Sequence, residues 1–182
     1  GKSALSAETS GARSVAIGSN SLTAQNVGSG AAVYNTAVGY DAGYSVTTGT
    51  NNTLIGGLAL SSNTTASNNT AVGKDALYAN TTGTGNSAVG ASAGSALTTG
   101  SSNTALGHLA LDGTDDGAGN TAIGKQALSE NCGDNNTAVG YLAGLNTTGT
   151  NNTAVGKGAL TANTTGAGNT AVGTNANDSS SG

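Results

Sequence analysis

Apolar residues along this chain fall in short, evenly returning groups separated by longer polar stretches. The commonest group reads Asn35-Thr36-Ala37-Val38-Gly39. It recurs with small changes, ending at Gly56, Gly73, Gly90, Gly107, Gly124, Gly140, Gly156 and Gly173, and an earlier form, Ser14-Val15-Ala16-Ile17-Gly18, opens the series. Differences between neighbouring glycine numbers are 21, 17, 17, 17, 17, 17, 16, 16 and 17. A second group, Gly-x-x-Ala-(Gly/Leu), is locked to the first, as in Gly73-Lys74-Asp75-Ala76-Leu77 and Gly140-Tyr141-Leu142-Ala143-Gly144. Even Gly1-Lys2-Ser3-Ala4-Leu5 fits it. A fixed short period over the whole chain predicts a quasi-one-dimensional repeat structure.

Read as a strand, the first group sends Thr36 and Val38 to one face and Asn35 and Ala37 to the other. Val15 and Ile17 occupy the Thr and Val positions in the opening coil, which marks that face as the more apolar one. Gly39 then turns the chain, since glycine tolerates positive φ. Loops such as Val46-Thr47-Thr48-Gly49-Thr50-Asn51 are rich in turn formers. A period this short cannot hold a helical hairpin, and Gly, Asn and Thr disfavour helix. Two short strands and two turns per period do fit, which predicts an all-β fold: a β-solenoid of about ten 17-residue coils over residues 1–177, with a flexible polar tail at 178–182.

Stacking sets equivalent residues ~4.8 Å apart, so ten coils span on the order of 50 Å. It aligns Asn35, Asn52, Asn69, Asn86, Asn103, Asn120, Asn136, Asn152 and Asn169 in one row able to exchange amide hydrogen bonds from coil to coil. Thr36, Thr53, Thr70 and Ser87 begin a parallel hydroxyl row. The residues expected to carry the fold are the row members Asn35, Asn69, Asn120 and Asn152, the apolar Val38, Val72, Ile123 and Val155, and the turning Gly39, Gly73, Gly124 and Gly156. Small alanines let two sheets of a coil close together. The Val/Ile face must then be covered from outside, because an exposed apolar stripe is an aggregation hazard in a monomer. This predicts an obligate homo-oligomer, with a trimer fitting an axial apolar core best.

Composition sharpens the picture. The 182 residues are 35% apolar but include no Phe, Trp, Met or Pro, so a thick globular interior is not expected. Tyr34, Tyr40, Tyr44, Tyr78 and Tyr141 are the sole aromatics. Net charge is −4, and the scattered cations Lys2, Arg13, Lys74, Lys125 and Lys157 form no stripe for phosphates. Nucleic acid and anionic membranes are therefore poor partners. No apolar run is long enough for membrane insertion by this segment. The in-phase opening and polar ending read as a processed chain or an excerpt of a longer array.

The pattern Gly-x-x-Ala-Leu…Asn-Thr-Thr-Gly-x-x-Asn-Thr-Ala-Val-Gly resembles the head repeats of trimeric autotransporter adhesins, whose shorter motif, Ser-Val-Ala-Ile-Gly, is matched literally at 14–18. It is also similar to repeats of tail-fibre-like proteins of phages and bacterial surfaces. The resemblance covers residues 1 to about 177. It implies a left-handed parallel β-roll with three chains around one axis. It also implies an extracellular setting, on a virion tail fibre or a bacterial cell surface, and attachment to a host surface glycan or protein receptor. The coils here are longer than in those heads, so one loop is enlarged. No coiled-coil stalk, anchor barrel or tail-fibre chaperone sequence lies within the chain.

Groups that could carry chemistry are few. His108 would give a threefold site in a trimer, yet one ligand per chain rarely suffices. Cys132 stands alone, with no base to activate it. Asp112, Asp115, Asp116 and Asp134 could face a cation, but the Gly-Gly-x-Gly-x-Asp signature of calcium-binding rolls is absent. Gly119-Asn120-Thr121-Ala122-Ile123-Gly124-Lys125 nearly writes a phosphate-binding loop, but Gln126 follows and the frame belongs to the repeat. Asn63, Asn80, Asn146 and Asn163 begin Asn-x-Thr glycosylation triplets that the repeat itself generates. No catalytic residue, cofactor or metal is therefore expected. Tyr40, Tyr44, Tyr78 and Tyr141 are the expected surface contacts for glycans. One further regularity is Gly43, Leu60, Leu77, Gly94, Leu111, Leu128, Gly144, Leu160, a three-coil cycle that duplication of a three-coil block would produce.

The expected function is that of a non-enzymatic structural or adhesive fibre segment mediating host or surface attachment. A second reading is a self-assembling filament subunit, since coil-like sequence runs from Gly1 to Ala176 and uncapped solenoids invite end-to-end stacking. A third, ice binding, draws on the threonine rows, but Thr36 shares its face with Val38.

Overall fold

The structure, a computed structural model, describes residues 1–9, 13–28 and 32–177; the expected tail at 178–182 lies outside the described residues. Ten three-residue strands follow in chain order: β1 (Val15–Ile17), β2 (Thr36–Val38), β3 (Thr53–Ile55), β4 (Thr70–Val72), β5 (Ser87–Val89), β6 (Thr104–Leu106), β7 (Thr121–Ile123), β8 (Thr137–Val139), β9 (Thr153–Val155) and β10 (Thr170–Val172). They form one parallel sheet in the order β1 to β10. The register is that of the repeat: Thr36 pairs with Thr53, Thr70 with Ser87, and Val72 with Val89. The molecule is an all-β solenoid, with no helix among the described residues.

The expectation of two strands per coil is corrected. Among the described residues each coil contributes one strand, and the opposite wall is a run of turns. In that wall right- and left-handed backbone conformations alternate, with φ of 58° at Asp75 and 51° at Leu77. The alternation splits the amides. Ala76 and Tyr78 donate within the coil to the carbonyls of Gly73 and Asp75, at 3.3 Å each. Asp75 donates back to Gly57 and Leu77 forward to Ala93. Every second N–H thus links coils, as a strand would, and the buried backbone stays paired without a second sheet.

The motif glycines are forced by geometry. Their φ lies between 128° and 147°, outside the left-handed helical region that Asn or Leu can enter. In each coil from Gly18 to Gly156 an added Cβ would also stand 2.3 to 2.7 Å from the carbonyl oxygen of the next motif glycine. Only glycine fits where backbones stack this closely.

The interior is a thin column. Ala71, Ala88 and Ala122 from the strands meet Ala76, Ala93 and Ala127 from the turns, all fully buried. The rest is filled from two positions of the turn wall. Coils with a buried leucine after the turn alanine, Leu60, Leu77 and Leu160, carry Asn63, Asn80 and Asn163 three residues on. Coils with Gly43, Gly94 or Gly144 there carry Val46, Leu97 or Thr147 instead, all buried. A Cβ on Gly94 would come 3.0 Å from Leu77 Cδ2, and one on Gly144 would come 2.8 Å from Leu128 Cδ2. A leucine in the preceding coil therefore leans over each of these glycines, and the space is filled once. This gives the three-coil cycle a packing cause. Leucine accepts the left-handed backbone, which costs about 1–2 kcal/mol, because burying its side chain returns about 1.5–3 kcal/mol.

The asparagine row is a ladder, but mostly of side chain to backbone. Asn69 Oδ1 accepts the N–H of Asn86 at 2.8 Å, and Asn86 Oδ1 accepts that of Asn103 at 2.9 Å. Their Nδ2 groups donate to loop carbonyls, Asn69 to Gly83 at 2.9 Å and Asn86 to Gly100 at 2.8 Å. Each amide ties its strand to both the next strand and the next loop. At Asn120 the pattern breaks: Nδ2 is buried without a partner. There the coil is one residue shorter, and Cys132 presents its carbonyl where most other coils place that of a loop glycine.

Candidate interaction faces

Two surfaces of the column carry chemistry: the outer face of the sheet and the turn wall. Because the strands point alanine inward, Thr and Val of every strand point outward together. The result is two parallel rows along all ten strands. The apolar row runs Ile17, Val38, Ile55, Val72, Val89, Leu106, Ile123, Val139, Val155, Val172. Val38, Val72, Ile123 and Val155 are half-buried by their neighbours, whereas Ile17 is 58% exposed and Leu106 46%. The row beside it is Val15 followed by hydroxyl side chains from Thr36 to Thr170. No charged residue interrupts either row.

The turn wall carries four of the exposed aromatics, and the fifth, Tyr34, stands just before β2. Tyr40 and Tyr141 occupy the position after the motif glycine, and Tyr44 and Tyr78 the position four residues further. Asp41 beside Tyr40, by hydrogen bonding and by its charge, holds the phenol above its usual range. Asp41 also accepts a hydrogen bond from Asn20 Nδ2 at 3.0 Å. Lys74 pairs with Asp75, and Lys125 Nζ lies 5.9 Å from the centre of the Tyr141 ring. A shallow, open groove is lined by Tyr78, Asp75, Lys74, Leu58, Ser92 and Ser95. The four expected surface tyrosines are thus all exposed, but only Tyr78 lines this groove.

The remaining groups sit apart from one another or are already engaged. His108 is exposed on the turn wall. Cys132 is buried, shares a hydrogen bond with Thr114 at 3.1 Å, and burial pushes its thiol above the usual range. Asp112 is half-buried and its carboxyl is raised, chiefly by desolvation. Asp115 accepts from the Thr98 hydroxyl, and Asp134 Oδ1 accepts the N–H of Ala118 at 2.8 Å. Among the described residues no three His, Cys, Asp or Glu side chains gather to hold a metal. The phosphate-loop frame at 119–125 contains β7, and its amides are spent on neighbouring coils, Thr121 to Asn136 and Gly124 to Leu106 at 2.8 Å each. Of the glycosylation triplets, Asn63, Asn80 and Asn163 are buried and Asn146 half-buried. The exposed triplets begin instead at Asn51, Asn68, Asn135 and Asn151, readable from the doubled asparagines but hidden among many alike.

No family model matches the chain, and neither a curated protein nor a solved structure matches it. Among the described residues no helix is long and apolar enough to cross a membrane.

Proposed function

We propose that this chain is a non-enzymatic fibre segment whose copies associate through the outer face of the sheet. The proposed assembly is a homotrimer with the apolar row at its axis, used to hold or present an attachment surface outside a cell or virion. The observation that carries it is the unbroken apolar row of ten residues on the outer face of the sheet, exposed at Ile17, Ile55, Val89, Leu106 and Val172 and half-buried between them. An exposed apolar stripe of this length is rare in proteins that remain monomeric. A parallel sheet is usually covered on both faces, and here only the inner face is covered by the chain itself. Uncharged, small and in register along the column, the row suits packing against identical rows. The likeness of the repeat to adhesin heads supports the trimer, the left-handed roll and the extracellular setting.

The test is a charge placed in the row. Val89→Asp with Leu106→Asp alters two exposed side chains and leaves the alanine column intact. The double variant should retain its β circular dichroism and sediment as a single chain while the unmodified protein sediments as an assembly. Equal masses for the two would sink the reading.

A further inference from the structure

The turn wall holds a duplicated pair of side chains that the fibre role alone does not require. Asp41-Ala42-Gly43-Tyr44 and Asp75-Ala76-Leu77-Tyr78 are the same tetrapeptide frame, 34 residues and two coils apart. In both, the tyrosine N–H donates to the aspartate carbonyl, at 3.2 and 3.3 Å, so the two pairs have the same turn. Both rings are exposed, 47% at Tyr44 and 44% at Tyr78. Between them in the same row stands the small, buried Ser61, with Leu58 beside it. The open groove lies against the second pair and continues past Ser92 and Ser95. Among the described coils no other carries this aspartate-tyrosine pair.

We propose that this strip binds an extended, uncharged, hydroxyl-rich glycan laid along the column axis. A sugar ring offers a C–H face that stacks on an exposed aromatic ring and a rim of hydroxyls that donate to a carboxylate. Each Asp-x-x-Tyr unit supplies both. Asp41 is already engaged by Asn20 and the Tyr40 hydroxyl, and Asp75 by Lys74, which fixes the carboxylates and still leaves lone pairs for a ligand. Two coils separate the pairs by ~9.6 Å, close to one disaccharide of an extended β-linked chain. Alternate sugars would then stack on Tyr44 and Tyr78 while the intervening one passes over Ser61. An acidic glycan is disfavoured, because the strip has two carboxylates and its lysine is paired, while Lys125 and Lys157 stand several coils away.

This proposal rests on the attachment role proposed above, and the test separates the two. Calorimetric titration with cellohexaose and with the hexamer of N-acetylglucosamine should show binding by at least one of them. The corresponding dimers, which reach one pair only, should bind about tenfold more weakly or worse. Tyr44→Ser and Tyr78→Ser each install the residue found naturally in that row at Ser61 and Ser95, so the fold is kept. Each should weaken the hexamer about tenfold or more, and Tyr141→Ser should leave it unchanged. No hexamer binding, undiminished binding by both row variants, equal binding of the dimers, or tighter binding of polygalacturonate would each overturn the proposal. Sedimentation of the same samples reads the fibre role independently: a single chain that binds sugar loses the fibre reading alone, and an assembly that binds none loses the glycan strip alone.

Discussion

The two walls of the column solve the same stacking problem by opposite means. The sheet wall repeats four residues almost without change, because its alanines set the thickness of the interior and its glycines have no steric alternative. The turn wall links coils with as regular a pattern of amides, yet tolerates Tyr, Lys, His, Ala, Gly or Thr after the motif glycine. Its left-handed positions accept Asp, Leu, Ser, Gln, Asn or Gly. What separates the walls is where the backbone is in contact. Along the sheet, each motif glycine sits so close to the next one's carbonyl that no Cβ fits between them. On the turn wall the alanines still point into the column, but the side chains between them project outward and are free to vary. Invariance therefore marks the wall that builds the column, and variation marks the wall able to recognise something.

The sharpest way to break this comparison is to add one methyl group where backbones stack and one where they do not. Gly90→Ala places a Cβ 2.5 Å from the Gly107 carbonyl oxygen at a φ of 137°. It should destabilise the column by about 4 kcal/mol, read as a lowered denaturant midpoint. Asn86→Ala removes a buried amide and leaves the N–H of Asn103 and the carbonyl of Gly100 unpartnered. A loss of about 2–4 kcal/mol in the same measurement is expected. Gly85→Ala, in the loop before β5, sits at an ordinary left-handed φ of 68° with only Ser102 Oγ, at 3.8 Å, near the added Cβ, and should cost only about 1 kcal/mol. Equal losses at Gly85 and Gly90 would contradict the steric account of the motif glycines.

The smallest effect belongs to Asp112. Burial raises its folded carboxyl above the ordinary value, so the folded chain favours the protonated form. Its contribution is therefore most favourable at low pH and is lost as pH rises through the raised folded value. Asp112→Asn should raise the denaturation midpoint slightly at pH 7 and leave it unchanged well below the carboxylate range. A lowered midpoint at pH 7 would contradict the sign.

Much of this was legible in the chain. The in-register Thr-Ala-Val strands follow from the period, and so does the inward alanine, since one side of every strand but β3, which carries Leu54, is small. The second wall was not legible as turns. Alternating right- and left-handed residues leave no hydrophobic period of their own, and leucine at positive φ runs against its usual preference. The asparagine row was visible, but its partners were not, because Oδ1 meets a backbone N–H that every residue possesses. The filling of the interior by either Leu77 or Leu97 shows in sequence only as an unexplained cycle, since the exchange takes place between positions in different coils. Of the surface contacts, the tyrosines were readable singly. Their pairing with Asp41 and Asp75 becomes meaningful once the coils are stacked.

The central claim, that sister chains cover the apolar row, is tested most directly by the mass of the unmodified protein in dilute solution. Light scattering should return three times the 17.0 kDa of one chain and hold that value on dilution. A stable 17.0 kDa particle would contradict it.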